Sequence, residues 1–196
     1  MPLPDFSVNG EAFGHARITD KAVELRALAK TDWFFSPNGQ ARRENVISVS
    51  AVIDQPVFTM SARASVDFAA TYDAGALFVK VANDSWAKLA FEYSAAHRPT
   101  IVSVVTRGTS DDCDGPTMSS DHIWLRIYRN NQTLAFHYST DGKFWHFVRF
   151  FTIPGLEAGP VELGLGAQSP TGHGVVARFT DLCFGTAPVS NLRDGQ

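Results

Sequence analysis

The stretch Trp86-Ala87-Lys88-Leu89-Ala90-Phe91-Glu92-Tyr93 decides the fold class. One parity carries Ala87, Leu89, Phe91 and Tyr93, and the other carries Trp86, Lys88, Ala90 and Glu92. A period of two marks a strand, whose successive side chains point to opposite faces. The same period returns on both sides of this stretch. Residues 46–52 (VISVSAV), 58–66 (FTMSARASV) and 75–81 (GALFVKV) precede it. Residues 100–106 (TIVSVVT), 123–128 (IWLRIY), 134–138, 144–153, 161–167 and 175–184 follow it. Asn38-Gly39, Asp73-Ala74-Gly75, Asn130-Asn131, Asp141-Gly142 and Pro154-Gly155 supply turn chemistry between the runs. Asn130-Asn131 and Asp141-Gly142 flank short alternating runs, as consecutive hairpins do. Residues 20–30 (DKAVELRALAK) contain good helix formers, yet Val23, Leu25 and Ala27 alternate with Glu24, Arg26 and Leu28, so this stretch too is read as a strand.

Many short strands at close spacing predict an all-β sandwich or barrel. A chain of 196 residues with 44% hydrophobic and 12% aromatic residues is long and apolar enough to bury one substantial core. The net charge of −3, with no basic cluster beyond Arg42-Arg43, argues against a nucleic-acid partner. No apolar run reaches the ~18 residues of a membrane-spanning helix, so no membrane partner is expected. Residues 1–14 have neither the basic nor the apolar region of a secretory signal. Cys113 lies in what reads as an acidic loop and Cys183 at an apolar strand end, and free thiols in a reducing cytoplasm are expected. The expected organisation is an N-terminal segment packing on the sandwich (1–19), the sandwich domain (20–186) and a frayed or loosely docked C-terminal tail (187–196).

Parity also exposes a second kind of face. Trp86, Lys88 and Glu92 share one side of their strand, His122, Trp124, Arg126 and Tyr128 share one side of another, and Trp145, Phe147, Arg149 and Phe151 share one side of a third. A plainly solvated sheet face carries Thr, Ser, Lys and Glu. Aromatic rings mixed with charges offer stacking surface and hydroxyl partners together, as a binding face does. The opposing reading is a face covered by a loop, with its charges paired internally.

Several separated motifs resemble the DUF1349 family, which includes the regulation-of-enolase proteins. They are Thr31-Asp32-Trp33-Phe34, Tyr72-Asp73-Ala74-Gly75-Ala76-Leu77, the Trp86–Tyr93 stretch, Val104-Val105-Thr106 with Ser110-Asp111-Asp112, Tyr138–Trp145 with Val148-Arg149, and Gln168-Ser169-Pro170-Thr171-Gly172-His173-Gly174. The resemblance covers roughly residues 20–184. This chain departs from the family pattern at Ala74, Ala90 and Asp112. The resemblance implies a concanavalin A-like jelly-roll β-sandwich of two antiparallel sheets, similar to lectins and glucanases. It implies fold more firmly than function.

The expected function is a non-catalytic module binding a carbohydrate or small polar metabolite across the concave sheet. Trp86 and Trp124 would offer stacking surface, and Lys88, Glu92, Arg126 and Arg149 polar contacts. One alternative is a glycoside-processing enzyme with Glu92 as acid or base. Glycosidases need a second carboxylate about 5 to 9.5 Å away, for which Asp111, Asp112 and Asp121 are candidates. The glucanase pattern ExDxxE is absent. The other alternative is a regulator that docks on a metabolic enzyme, and pairing of two copies of the chain stays open. No cofactor and no metal is expected: no nucleotide motif is present, none of the histidines forms HxH or HExxH, and the acidic run 110–115 lacks a complete calcium-loop spacing.

Overall fold

Half-buried alternating runs can only bury their apolar parity by stacking one sheet on another. The computed structural model, which describes residues 2–196, has this arrangement. Its strands are β1 (Ser7–Asn9), β2 (Gly14–Ile18), β3 (Ala22–Leu28), β4 (Trp33–Phe35), β5 (Arg42–Glu44), β6 (Ile47–Ile53), β7 (Val57–Val66) and β8 (Ala74–Ala82). They continue as β9 (Ser85–Tyr93), β10 (Pro99–Arg107), β11 (Thr109–Thr117), β12 (His122–Asn130), β13 (Thr133–Ser139), β14 (His146–Phe151), β15 (Val161–Gln168) and β16 (Gly174–Gly185). One seven-stranded sheet runs β1-β6-β15-β8-β9-β10-β11, and the other runs β14-β13-β12-β7-β16-β3-β2. Every pairing in both is antiparallel. No helix among the described residues is long and apolar enough to cross a membrane.

The core lies between the sheets. Leu77, Val79, Leu89 and Phe91 of the first sheet are buried in one cluster with Phe58, Met60, Leu125, Ile127, Phe136 and Phe179 of the second. The parity read from β9 therefore assigns its inner side correctly. Residues 20–30 form the strand β3, paired with β2 and β16. Two parts of the N-terminal segment extend the sheets: β1 pairs with β6 and β2 with β3.

Residues 109–117 correct the sequence reading. They form β11 on the edge of the first sheet rather than an acidic loop. Asp, Gly and Pro suggest a loop because they are poor strand formers. An edge strand tolerates them, and charge and proline there discourage pairing with another chain. The register shift opposite Thr100 and Val102 absorbs Gly115 and Pro116 as an irregularity. Cys113 and Cys183 are both free and exposed.

Candidate functional site

On the outer face of the first sheet, register aligns Lys88 with Phe78, Val104 and Asp112, and Ala90 with Ala76, Val102 and Asp114. The β4–β5 hairpin crosses this face. Trp33 packs on Phe78 and Trp86 with ring centroids 4.8 and 4.7 Å away, and Phe35 meets Trp86 edge-on at 5.5 Å. Gly164 lies under Phe78, where a Cβ would stand 2.8 Å from that ring and 2.2 Å from the Val49 carbonyl oxygen, so no side chain fits. The outcome is a second apolar cluster outside the main core. Trp86 is 0% exposed within it, which removes it as a stacking surface.

Beside the hairpin, an open pocket of about 390 Å³ remains. Lys88 and Glu92 line its floor, Asp32 and Phe34 come from the hairpin side, and Asp112 and Asp114 form the rim on β11. Tyr72 and Gln168 complete the wall.

A buried hydrogen-bond network fixes that wall. The Asp73 carboxylate accepts from the Ser169 hydroxyl at 2.6 Å and from the amides of Ala69 and Ala70 at 3.0 and 2.8 Å. The Ser169 amide donates to Thr31 Oγ1 at 2.9 Å. Thr31, Asp73 and Ser169 are each essentially inaccessible. The neighbour of each in sequence is a pocket residue: Asp32, Tyr72 and Gln168. Each dipeptide thus divides its labour between an anchor and a residue that lines the pocket. Tyr72 takes a φ of 70°, a left-handed conformation that costs free energy for a bulky residue and that the Asp73 anchor holds in place.

Lys88 is 3% exposed, and its ammonium donates to the Trp33 carbonyl at 2.8 Å and to Gln168 Oε1 at 2.7 Å. Burial pulls its pKa down, while Asp32, Glu92 and Asp112 push it back up. Glu92 is 7% exposed and receives no hydrogen bond from any described residue. Burial raises its pKa to about 7; Lys88 opposes this, and Asp114, Asp32 and Asp112 add to it. Burial likewise raises Asp32, against Lys88, the Trp33 amide and Arg43. Among the described residues no group of three His, Cys, Asp or Glu side chains is arranged to hold a metal. Asp111 points away from Asp112 and Asp114 by strand parity.

The remaining sequence candidates lie elsewhere. Trp124 and Arg126 sit on β12, in the second sheet, and so on the opposite side of the molecule from Lys88 and Glu92. The tail covers Arg126, while Trp124 meets Arg63, His122 and Gly142. Arg126 donates to the main-chain oxygen of Gln196 at 2.7 Å and stacks on Trp145 at 4.4 Å; His137 Nε2 bonds the Leu192 carbonyl at 3.0 Å. The tail is docked rather than frayed, because its carbonyls satisfy buried donors. Arg149 spans the sandwich edge from β14 to Asp111 of β11 at 2.9 Å, outside the pocket. Lys88 and Glu92 are thus the candidates that share a pocket. The sequence points to Asp112 only as a candidate second carboxylate and not to Asp32, Tyr72, Gln168 or Asp114 as ligand contacts, although each stands in or beside a quoted motif.

The structure is similar to that of a functionally unknown protein from Saccharomyces cerevisiae, with TM-score 0.81 and 21% identity over 92% of this chain and 100% of that one. It is also similar to a GH43 protein from Bacillus licheniformis, with TM-score 0.68 and 14% identity over 92% of this chain, which spans only 39% of the GH43 chain. An alginate lyase from Alteromonas shares the fold at TM-score 0.57 and 11% identity, over 92% of this chain and 93% of that one. At such identities the likeness concerns the fold alone. No curated protein matches the chain. The family model for DUF1349, a protein family of unknown function, matches residues 14–187, and the chain belongs to that family.

Proposed function

We propose that the chain is a binding module that takes a carbohydrate or similar hydroxyl-rich metabolite in the pocket over Lys88 and Glu92. One observation carries this reading: the Glu92 side chain is only 7% exposed, opens on the pocket and accepts no hydrogen bond from any described residue. A ligand hydroxyl entering the pocket could donate to that carboxyl, an acceptor the described residues leave open. Phe34 and Tyr72 add ring faces against which the apolar face of a sugar can pack. The volume lies within the usual range for a small-molecule site, about 300–1,000 Å³. The sandwich fold also occurs in proteins named for polysaccharide chemistry, an argument by analogy only.

The test is a thermal-shift screen of mono- and disaccharides on the wild type, Glu92→Gln and Tyr72→Asn. Asn tolerates the left-handed backbone at position 72. Saturable stabilisation of the wild type that both variants lose is the expected result. A flat wild-type response across the panel overturns the reading.

The second reading, a glycoside-processing enzyme, has one observation in its favour: a carboxyl held near pKa 7 is suited to general acid catalysis. Its nearest rim partner by register, Asp114, sits two strands across and two residues along. That separation is about 12 Å between backbones, so an inverting geometry is the one to examine. Release of reducing sugar from the ligand found in the screen, abolished in Glu92→Gln, would select this reading.

A further inference from the structure

The pocket has an unbalanced charge. Asp32, Glu92, Asp112 and Asp114 line it, and Lys88 is the cation among its lining residues. Two of the ammonium's protons already go to the neutral oxygens of Trp33 and Gln168. Among the described residues Asp112 and Asp114 make no ion pair, and neither does Glu92; the Arg149 guanidinium goes to Asp111 on the other parity of the same strand. Lys88 and Glu92 stand four residues apart on β9, about 13 Å between backbones, and the ammonium reaches toward Gln168, so one cation faces four carboxylates in the pocket. An anionic ligand would meet uncompensated carboxylates there. A bare metal ion finds no group of three ligands. A larger, diffuse cation suits carboxylates spread over two strands, and the rings of Phe34 and Tyr72 attract cations by their faces.

We infer that the ligand carries a protonated amine, as an aminated sugar or polyol does, and that its ammonium lies at the Glu92 end of the pocket within reach of the Asp112 and Asp114 rim. The inference rests on the reading of this pocket as a binding site. It also fixes a pH dependence. The groups facing Glu92 are Lys88 on its own strand, Asp114 and Asp112 on β11 and Asp32 ahead of β4. With Glu92 at about 7, its ionised fraction rises about tenfold between pH 6 and pH 8. A ligand cation binds the ionised form, so affinity rises over that interval.

Three sugars that differ at a single carbon provide the probe: 6-amino-6-deoxyglucose, glucose and glucuronate, which are cation, neutral and anion on one ring. The amine is an alkylammonium and stays protonated throughout, by comparison with lysine. Calorimetric titration of the wild type at pH 8 should show the amine binding at least tenfold more tightly than glucose, with glucuronate weakest. Its affinity should fall about tenfold at pH 6, and Glu92→Gln should show no gain in binding between pH 6 and pH 8. Asp112→Asn, at an exposed rim position, should weaken the amine severalfold and narrow its advantage over glucose. Equal affinity for all three sugars, or preference for glucuronate, overturns the inference while the pocket reading stands. Binding in the saccharide screen with none of these three bound does the same. Failure of both panels removes the pocket reading and the inference with it.

Discussion

On the first sheet, Lys88 and Glu92 look out into an open pocket; on the second, Arg126 and His137 look out into the chain's own tail. Both faces mix aromatic rings with charges, and both bury them. They differ in what meets the polar groups. On the tail face Arg126 and His137 reach main-chain oxygens of Gln196 and Leu192, the Val189 amide donates to the Tyr128 hydroxyl at 3.3 Å, and Arg193 lies over Phe147 at 4.3 Å. On the pocket face Lys88 finds neutral oxygens and Glu92 finds nothing. A mixed face in the sequence therefore signals a polar docking surface without saying whether the docked group is part of the same chain. Buried atoms without a partner occur under the tail too, Arg126 Nε and His137 Nδ1 among them, so what sets the pocket face apart is a carboxyl that opens on a pocket.

The largest effect expected on this comparison comes from Lys88→Met. It leaves the Trp33 carbonyl and Gln168 Oε1 without their donor and removes the one lining cation from a pocket of carboxylates. Leaving a buried acceptor without its donor typically costs about 1–3 kcal/mol, so the two together should cost roughly 2–6 kcal/mol. Urea denaturation should show a loss in that range. A variant as stable as the wild type would mean that Lys88 is held by burial alone and that its bonds add nothing.

Next comes the tail. A chain ending at Ala187 loses the contacts of Arg126, Tyr128, His137 and Phe147 with residues 189–196. With the Trp145 amide, which donates to the Gly195 carbonyl at 3.0 Å, four hydrogen bonds go, and at about 1 kcal/mol each the loss should be about 4 kcal/mol. Ligand binding at the pocket should survive. The pH dependence adds a sharper signature. Burial first, then Arg126, lowers the His137 pKa to about 4, while its bond to Leu192 opposes this. The unfolded chain then binds the proton more readily than the folded one, so stability is full above about pH 6.5 and falls as pH drops toward 4. In the truncated chain, with His137 open to water, that acid sensitivity should flatten. Acid sensitivity that persists without the tail would assign it to other groups.

Glu92 works in the opposite direction. Its folded pKa of about 7 exceeds the ordinary 4.5, so the folded state holds the proton more tightly, and stability declines as pH rises from 4.5 to 7. Glu92→Gln removes the charge that must be buried. It should gain on the order of 2 kcal/mol at pH 8 and nothing at pH 4. A residue that weakens the fold and is needed for ligand would show the usual exchange of stability for function. A Glu92→Gln chain no more stable than the wild type at pH 8 would instead imply that an unpartnered carboxylate is well solvated there.

Strand parity was legible because it depends on nearest neighbours along the chain. It assigned Leu89 and Phe91 to the core and placed Lys88 and Glu92 on one outer side. Sheet membership depends on pairings far apart in sequence. Parity alone could not tell that Trp124 and Trp86 face opposite sides of the sandwich, nor that the β4–β5 hairpin folds over Trp86. The short β4 and the acidic β11 hid for a different reason: three residues show no period, and an edge strand need not look like a strand. The pocket wall was half visible. Thr31-Asp32, Tyr72-Asp73 and Gln168-Ser169 stood out as motifs, but only their convergence at the Asp73 network shows which member of each pair is the anchor.

The smallest effect expected falls at the boundary between the two faces, on Arg149. Its guanidinium pairs with Asp111, whose side chain is 58% exposed, and reaches Ser103 only at 3.5 Å. A pair so open to water contributes at most about 1 kcal/mol and weakens further with salt. Arg149→Ala should therefore lower the melting temperature by no more than about 3 °C in a chain of this size, and the difference should shrink in high salt. Pocket binding should be untouched, because Asp111 and the pocket carboxylates leave β11 on opposite sides. If this substitution weakened the same ligand that Glu92→Gln loses, the site would extend around the β11 edge into the groove beside Cys113 and His146, and the two faces could no longer be treated as separate surfaces.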